Sequence, residues 1–555
     1  MDMLINLLYL SAIFMLSSCF SLHQQEREPP TFEKNYFVQG LLLLPYAEIK
    51  EPFKAYYDQV SGKSRIDYYG DMVETFQRSD LGEFGISYKV AYTPDENGVL
   101  QRNCFQVNGS NENPVTIQSI LPDLTGFKYV KDDSCYAENA LFVNKKENLV
   151  CELWMLENSY EDKVNKYSMY IEKSTGAPVH YIMKGYNSLL GSHYDKYELY
   201  YMEYAVGNTT DADFEVHTGS QCTNFPGPGV EVMVVNNPML EFINNEDRHI
   251  HETFEEFKNK HGKSYSDPQD HESRKNIYRQ NYRYVQSMNR AGLSYSLKIN
   301  HLADFTDFEL HRLRGRLPSK GYNGGLPFPT AEFPDAIPES LDWRLYGAVT
   351  PVKDQAICGS CWSFGTTGTI EGALFLKTNK LVRLSQQQLI DCSWQYQNNG
   401  CDGGEDFRAY AYIMAVGGLA SEDDYGQYLG EDGICHDRNV SKIAQITGFV
   451  NVTSGDADAL KKALVKKGPI SVSIDAAHKG FSFYSHGVYY NPDCKSGEDQ
   501  LDHSVLAVGY GVMNGQPYWI IKNSWSTYWG NDGYVLMSQR DNNCGVTTSP
   551  TYVLM

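Results

Sequence analysis

The chain has 555 residues, 42% of them hydrophobic, so it is long enough for several cores and we expect three or four domains of about 150 residues. Its formal net charge is −21 at pH 7. This charge excludes nucleic acid as a partner, because there is no basic stretch to displace counterions from phosphates.

The first residues are typical of a secretory signal. An apolar run from Leu4 to Leu16 is followed by small residues, which predicts a signal peptide over residues 1–21, with a short membrane anchor as the alternative. No other stretch approaches the roughly 18 apolar residues of a membrane span, so we expect no stable membrane insertion after signal removal. Sequons for N-glycosylation agree with the secretory pathway and an extracellular or lysosomal location; they are Asn108, Asn208, Asn439 and Asn451.

Residues 22–238 are rich in tyrosine and in short runs of alternating polarity, such as KYELYYMEYAV, separated by turn residues. This period-2 pattern predicts a mainly antiparallel β domain of unknown role. Its histidines are isolated, so no catalytic constellation is visible. Four cysteines in this region allow three pairings, which the sequence leaves open; they are Cys104, Cys135, Cys151 and Cys222.

The composition changes to helical after residue 240. Two helices are predicted, separated by HGKSYSDP at 261–268. The second has a stripe of side chains at steps of three and four, which places them on one face. Asparagines in such a stripe are unusual, because Asn favours a helix only when its amide is hydrogen-bonded. The stripe consists of Asp270, Arg274, Tyr278, Asn281, Val285 and Asn289.

A Gly- and Pro-rich segment follows at residues 315–336, and its composition predicts an exposed linker that is open to proteolytic nicking. Residues 337–555 begin with helical patterns and continue with strand patterns such as GPISVSI and HSVLAVGYG. We therefore expect an α+β unit of two lobes with a cleft between them.

The motif CGSC at residues 358–361 permits three kinds of chemistry. A zinc site needs two further ligands at short spacing, and none is present. A redox dithiol is expected within a small βαβ unit, whereas this motif follows a proline-containing loop. The third interpretation is a nucleophilic Cys361 beside a structural Cys358, and it alone explains the odd number of cysteines after residue 337.

Two further residues agree with a nucleophile. His503 lies 142 residues after Cys361 and Asn523 lies 162 residues after it, close to the spacing of a Cys, His and Asn catalytic set. The blocks DQAICGSCWSF, LSQQQLIDCS, GCDGG, GPISVSID, DHSVLAVGYG and KNSWSTYWG occur in order. Residues 337–555 thereby resemble papain-family cysteine proteases of the cathepsin L type, which implies a helical lobe and a β-barrel lobe.

The resemblance implies the roles of the site residues. Cys361 is the nucleophile at a helix N-terminus, forming an ion pair with His503, which acts as acid and base. Asn523 orients His503 and Trp525 shields their hydrogen bond. Gln355 supplies the oxyanion donor together with the Cys361 N–H. The family pattern further implies the disulfides Cys358–Cys401, Cys392–Cys435 and Cys494–Cys544.

The helical stripe resembles the inhibitory propeptide of the same family, and a second propeptide motif is partly present as Lys298, Asn300, Leu302 and Asp304. The resemblance implies a propeptide over residues 239–314 that inhibits its own enzyme, with cleavage within the linker near residues 333–337. We expect acid to weaken the carboxylate contacts of the propeptide and so to trigger self-cleavage.

The family positions that bind substrate are more polar here than usual. Two acidic residues, Glu405 at the rim and Asp406, predict that basic side chains are tolerated beside apolar ones in the pocket for the second residue before the scissile bond; the alternative is that both carboxylates face solvent. The implied substrate-binding residues are Gly403, Gly404, Glu405, Asp406, Ser473, Leu501, Asp502, Ser504, Trp525 and Ser549. No metal or other cofactor is implied.

We therefore predict a cysteine endopeptidase made as a zymogen, acting on peptides or proteins. An insertion with paired histidines, as in carboxypeptidases of this family, is missing from the sequence. The alternative is a binding or scaffold protein that acts through the N-terminal β domain on a protease-like fold.

Overall fold

The structure is a computed structural model, and it describes residues 27–94, 100–135, 149–217, 221–224, 238–244, 248–333 and 336–555. The expected signal peptide lies outside these ranges. The described residues divide into two compact units, one within 1–90 and 104–247 and the other within 91–103 and 248–555. Among the described helices, none combines the length and the apolar character needed to cross a membrane.

The N-terminal part of the chain forms a large, mainly antiparallel sheet, which confirms the predicted β domain. Within the described residues its order is β12-β6-β5-β4-β3-β2-β1-β11-β10-β9-β8-β7. The strands are β1 (Asn35–Leu44), β2 (Ile49–Asp58), β3 (Lys63–Tyr68), β4 (Val73–Arg78), β5 (Ile86–Pro94), β6 (Leu100–Asn108), β7 (Lys128–Ser134), β8 (Val150–Tyr160), β9 (Lys163–Glu172), β10 (Pro178–Asn187), β11 (Ser192–Val206) and β12 (Thr223–Asn224).

Chain order explains most of this topology, because hairpins pair neighbouring strands on each side of the central β1/β11 pair. The alternating residues Tyr36 and Val38 of β1 are buried, as period-2 patterning requires. The cysteine pairings that the sequence left open are Cys104–Cys222 and Cys135–Cys151. Each disulfide ties a described part of the chain to the sheet and restricts the unfolded chain.

The predicted helical segment contains α1 (Leu240–Ile243), α2 (Arg248–His261), α3 (Pro268–Arg290), β13 (Tyr295–Leu297), α4 (Asp307–Arg312) and β14 (Leu326–Pro327). The side chain of Asp267 caps α3, and Pro268 occupies its first turn. The asparagines of the stripe hold the chain that follows: Asn281 donates to Ala303 O at 2.9 Å, and Asn289 exchanges two hydrogen bonds with Leu297. These bonds explain why Asn is tolerated within the helix.

The remaining chain has two lobes, which confirms the predicted fold class. The helical lobe contains α5 (Cys361–Thr378), α6 (Gln386–Cys392), α7 (Asp406–Val416) and α8 (Glu422–Tyr425), with the pair β16 (Leu419–Ala420) and β17 (Lys442–Ala444). The barrel lobe contains β15 (Leu341–Asp342), β18 (Gly448–Asn451), α9 (Ala457–Lys467), β19 (Ile470–Ile474), α10 (Lys479–Ser482), β20 (Tyr484–Tyr489), β21 (His503–Met513), β22 (Gln516–Lys522), β23 (Tyr534–Ser538) and β24 (Thr551–Leu554).

The segment before these lobes packs onto the barrel lobe. Strand β13 pairs with β20, and Tyr295 contacts Tyr489 with ring centroids 4.7 Å apart. Farther along, β14 pairs in parallel with β18. The linker expected to be exposed at residues 315–336 is therefore docked in part, and Arg316 is only 7% exposed. Most described residues of the segment are nevertheless exposed, as its composition predicts, and backbone hydrogen bonds to the lobes hold only a few of them.

Candidate active site

Cys361 is the first residue of α5 and is completely buried. Cys358 is bonded to Cys401, and the other pairs of this region are Cys392–Cys435 and Cys494–Cys544. Within the described chain, Cys361 is the free cysteine. A dithiol function of the CGSC motif is thereby excluded, since its first sulfur is committed to Cys401.

His503 and Asn523 come together because β21 begins at His503 and the antiparallel β22 ends at Lys522. His503 Nε2 lies 2.8 Å from Asn523 Oδ1, which also accepts from Ser524 N at 2.8 Å. Two donors on one oxygen identify it as the amide oxygen, so Nε2 of His503 holds the proton and Nδ1 is left as the base. Trp525 covers the pair, with its ring 4.8 Å from the imidazole.

Burial keeps both reactive groups neutral in this form of the protein. It raises the pKa of the Cys361 thiol to about 11, against smaller lowering effects of backbone N–H groups at Ser504 and Gly315. It also lowers the pKa of His503 to about 4, against the raising effect of the Asn523 hydrogen bond and with a smaller lowering effect of Arg314. An ion pair between thiolate and imidazolium is disfavoured here, since low dielectric penalises each charged form.

Gln355 forms a donor site beside Cys361. Its Nε2 donates to Leu313 O at 2.9 Å and to Cys358 O at 2.8 Å. Its Oε1 accepts from Ser524 Oγ at 2.6 Å, which fixes the orientation of the amide. A carbonyl of the preceding segment thus occupies the position where a substrate carbonyl would receive hydrogen bonds.

The segment that begins at Gly315 runs directly over the sulfur of Cys361. Gly315 N donates to Cys361 Sγ at 3.3 Å, and Gly315 O accepts from Gly404 N at 2.9 Å. Leu317 N donates to Gly404 O at 3.1 Å. A Cβ on residue 315 would lie 1.8 Å from Gly359 O, so only glycine allows this approach. The chain blocks the sulfur physically.

Two of the residues predicted to bind substrate differ in position from expectation. Glu405 is 3% exposed rather than at a solvent-facing rim, because the docked segment covers it. Asp406 turns into the protein, where its Oδ2 accepts from Ser471 Oγ at 2.8 Å and Thr551 Oγ1 at 2.6 Å. One carboxylate, that of Glu405, thus contacts the docked segment.

The other residues predicted to bind substrate lie at several separate places around the cleft. Gly403 and Gly404 are both buried. Asp502 O accepts from Arg316 N at 2.9 Å, and Leu501 O accepts from Arg316 Nη1 at 3.0 Å. Ser473 and Ser504 face each other on β19 and β21, and Ser549 Oγ lies 3.4 Å from Glu498 Oε1.

Sequence reasoning missed the residues that depend on distant loops. Ser524 holds Gln355, Tyr428 donates to Gln355 O at 2.7 Å, and Arg314 and Arg316 enter the cleft. The spaced arginines in HRLRGRLP were a usable signal for the last two. For Ser524 and Tyr428 no local pattern announces a contact with Gln355.

The predicted glycosylation sites differ in accessibility. Asn108, Asn208 and Asn439 are exposed. Asn451 is partly buried, and its amide exchanges two hydrogen bonds with Asn323 of the docked linker, at 2.7 and 2.9 Å. A glycan on Asn451 would require these bonds to be given up.

Two groups of side chains have ligand atoms close enough for a metal ion, namely Cys392, Cys435 and Asp437, and Asp475, His478 and Cys494. Their cysteines are all in disulfides, so they offer no thiolate to a metal.

Comparison with known proteins covers the second half of the chain. A model described as papain family cysteine protease matches residues 337–554, and one described as cathepsin propeptide inhibitor domain matches residues 254–310. Digestive cysteine proteinase 1 of Homarus americanus is 46% identical over 54% of this chain and 94% of its own length. Cathepsin L of Sarcophaga peregrina is 42% identical, over 55% and 92%.

Solved structures of procathepsins are also similar to this chain. The structure of digestive procathepsin L2 proteinase from Tenebrio molitor larval midgut is 34% identical, with a TM-score of 0.52 over 55% of this chain and all of that chain. Digestive procathepsin L 3 from the same tissue is 37% identical, with a TM-score of 0.50.

Proposed function

The chain belongs to the papain family of cysteine proteases, and on that premise we propose that Cys361 is its nucleophile, His503 its acid and base, and Asn523 the residue that orients His503. It is a cathepsin L-like cysteine endopeptidase with an inhibitory propeptide. The observation that best supports these roles is the Leu313 carbonyl held on Gln355 directly beside Cys361.

The reaction follows from the positions of the protons. Once the propeptide has left, His503 Nδ1 takes the Cys361 proton, and the thiolate forms a bond to the scissile carbonyl carbon. The resulting oxyanion accepts hydrogen bonds from Gln355 Nε2 and from the Cys361 N–H. The carbon–nitrogen bond then breaks as His503 gives its proton to the amine. Water, deprotonated by His503, displaces the sulfur and completes hydrolysis.

The domain boundaries are part of the proposal. We assign residues 22–238 to an N-terminal domain, 239–314 to the inhibitory propeptide, 315–336 to a linker with the activation cleavage, and 337–555 to the peptidase. Cleavage near residues 333–337 would release the strand that blocks Cys361. Part of this stretch lies outside the described residues.

Location and substrates follow from chemistry. Disulfides in both units suit an oxidising compartment, so we assign the protein to the secretory pathway, outside the cell or in lysosomes. Its substrates are peptides or proteins. The rival function, binding through the N-terminal domain on an inactive protease fold, is disfavoured by the intact set of Cys361, His503, Asn523 and Gln355.

The test compares the processed protein with a Cys361→Ala variant processed by added wild-type enzyme. We expect the wild type to hydrolyse an unstructured polypeptide at internal bonds and to incorporate one equivalent of iodoacetamide, and the variant to do neither. Equal hydrolysis by the variant would contradict the role of Cys361. A fully processed but inactive wild type would favour the binding function.

A further inference from the structure

An arginine of the docked linker occupies the substrate pocket. Arg316 lies opposite Gly404 in a parallel bridge, so its side chain enters the pocket beside that glycine. Its Nη1 donates to Glu498 O at 2.7 Å and to Leu501 O at 3.0 Å. Its Nη2 lies 3.5 Å from Glu405 Oε1. A planar, charged group thus finds two carbonyls and a carboxylate at the end of this pocket.

The carboxylate of Glu405 is positioned to bind a positively charged group. It is 3% exposed, and among the described residues its Oε2 has no hydrogen-bond partner. Arg408, at 3.5 Å, orients the carboxylate from the opposite side and is itself held by Gln397 O at 2.6 Å. Because a covered carboxylate is costly without compensation, an apolar group in place of Arg316 would leave Glu405 with Arg408 as its cationic partner among the described residues.

Two neighbouring arginines, Arg314 and Arg312, also lie beside carboxylates of the cleft. Arg314 donates to Asp502 Oδ2 at 3.0 Å, and Arg312 lies 3.3 Å from Asp402. The Arg314–Asp502 pair is largely buried, whereas Asp402 is 69% exposed, so the Arg312 pair contributes little. The acidic character of the cleft is therefore concentrated at Glu405 and Asp502.

We propose that the processed enzyme selects peptides with arginine as the second residue before the scissile bond, its guanidinium taking the place of Arg316 on Glu405 and on the carbonyls of Glu498 and Leu501. This inference rests on the proposed function and adds its substrate class. Lysine is accepted less well, because one ammonium group cannot reproduce the fork of bonds that Arg316 makes. Leucine and phenylalanine would cover Glu405 again without supplying the positive charge of Arg316.

The test uses three fluorogenic peptides that differ only at this second residue, which is Arg, Lys or Leu. The enzyme is the processed wild type, the isosteric variant Glu405→Gln, and a control, Asp458→Asn. Asp458 is 80% exposed on α9, and its replacement changes the net charge equally. We expect the wild type to favour Arg over Leu by kcat/KM. In Glu405→Gln the ratio of Arg to Leu falls about tenfold, since a charge-assisted bond becomes a neutral one. The control keeps the wild-type ratio.

The outcomes distinguish failure of the arginine preference from failure of the endopeptidase function. Leu preferred over Arg, or an Arg to Leu ratio equal in wild type and Glu405→Gln, would overturn the inference and leave the endopeptidase function intact. Hydrolysis of none of the peptides would contradict the proposed function. In that case calorimetric binding of the Arg and Leu peptides to the processed protein decides the inference: tighter binding of Arg that is lost in Glu405→Gln supports it, and equal binding overturns it.

Discussion

At the scale of single residues, the docked segment that precedes residue 337 affects Cys361 in two ways. It places Gly315 on the sulfur, and it buries the Cys361 and His503 side chains so that both are neutral. A neutral thiol is a poor nucleophile, because the thiolate is the reactive form. Removal of the propeptide therefore exposes the sulfur and also lets the helix N-terminus and His503 stabilise its charge.

Alkylation of Cys361 reports this change directly. In the unprocessed chain, we expect almost no reaction with iodoacetamide from about pH 5 to about pH 9, because Gly315 covers the sulfur and burial raises the pKa of the Cys361 thiol to about 11. In the processed enzyme the reaction becomes fast, and its pH midpoint falls far below the ordinary value of 9.0. Cys361→Ala corrects for background labelling. Identical pH profiles before and after processing would contradict this account.

Substitution of Gln355 tests whether its amide stabilises the oxyanion of the reaction. Gln355→Ala removes the donor that now holds the Leu313 carbonyl, so we expect kcat to fall about 10²- to 10³-fold with little change in KM. Ser524→Ala removes the bond that orients the Gln355 amide, and it should reduce kcat less, by about tenfold. Steady-state kinetics of the processed variants provide the measurement. A loss confined to KM would show instead that Gln355 only binds substrate.

At the scale of elements, Arg274 is the centre of a charged hydrogen-bond network within the propeptide. Arg274 of α3 donates to Asp270 at 3.2 Å, to Asp304 O at 2.9 Å, and to both oxygens of Glu309 in α4. Glu309 at the same time caps α4 through Thr306. The stripe that the sequence revealed is thus the connection between helix α3 and the segment that enters the cleft.

Arg274→Ala should therefore destabilise the zymogen. We expect its free energy of unfolding to fall by about 2–3 kcal/mol, because a partly buried, charged hydrogen-bond network loses its centre. Arg248→Ala is the matched control, since Arg248 is 89% exposed and pairs only with Glu252 on the same helix; a change below about 0.5 kcal/mol is expected. Urea unfolding of the inactive Cys361→Ala chain measures both. Equal effects would contradict the role of Arg274.

Acid should loosen the propeptide through His301. Burial, together with the nearby Lys263 and His261, lowers the pKa of His301 from 6.5 to about 3. A released propeptide has an ordinary histidine, so it binds more protons than the docked form between about pH 6.5 and 3. Docking is full above this window and weakens as pH falls through it.

His301→Gln removes this contribution, and processing should then require a lower pH than in wild type. His251→Gln on the exposed side of α2 is the control. The measurement is the initial rate of self-processing from pH 7 to pH 4. An unchanged pH dependence in His301→Gln would assign the acid response to the carboxylates, including Glu309, whose low pKa Arg274 helps to maintain.

The sequence predicted elements and catalytic residues for different reasons. Cys361, His503 and Asn523 could be predicted because each lies in a distinctive local motif. Arg316 and Ser524 could not be predicted, because their contacts depend on how loops far apart in the chain meet. The stripe predicted one face of α3, yet its partners Ala303 and Glu309 follow from the fold of the next thirty or so residues. Composition predicted an exposed linker, and it gives no sign of the short pairing with β18.

At the scale of the whole molecule, the part of the chain that resembles known proteinases is preceded by the N-terminal sheet. Digestive cysteine proteinase 1 of Homarus americanus aligns over 94% of its length but over 54% of this chain. The strand order of the N-terminal sheet has β1 and β11 as hydrogen-bonded neighbours at its centre, whereas β12, which follows β11 in the chain, pairs with β6 at the edge of the sheet.

A shortened chain that begins at residue 239 should fold, process itself and hydrolyse peptides with a kcat/KM within about twofold of the full-length enzyme, because the catalytic groups and the propeptide contacts all lie beyond that residue. Peptide kinetics and circular dichroism of both proteins are the measurements, with Cys361→Ala in the short chain as the control. A short chain that aggregates or stays unprocessed would mean that the N-terminal domain assists folding. A folded, processed short chain without activity would mean that this domain contributes to the site, contrary to the arrangement of Cys361, His503 and Gln355.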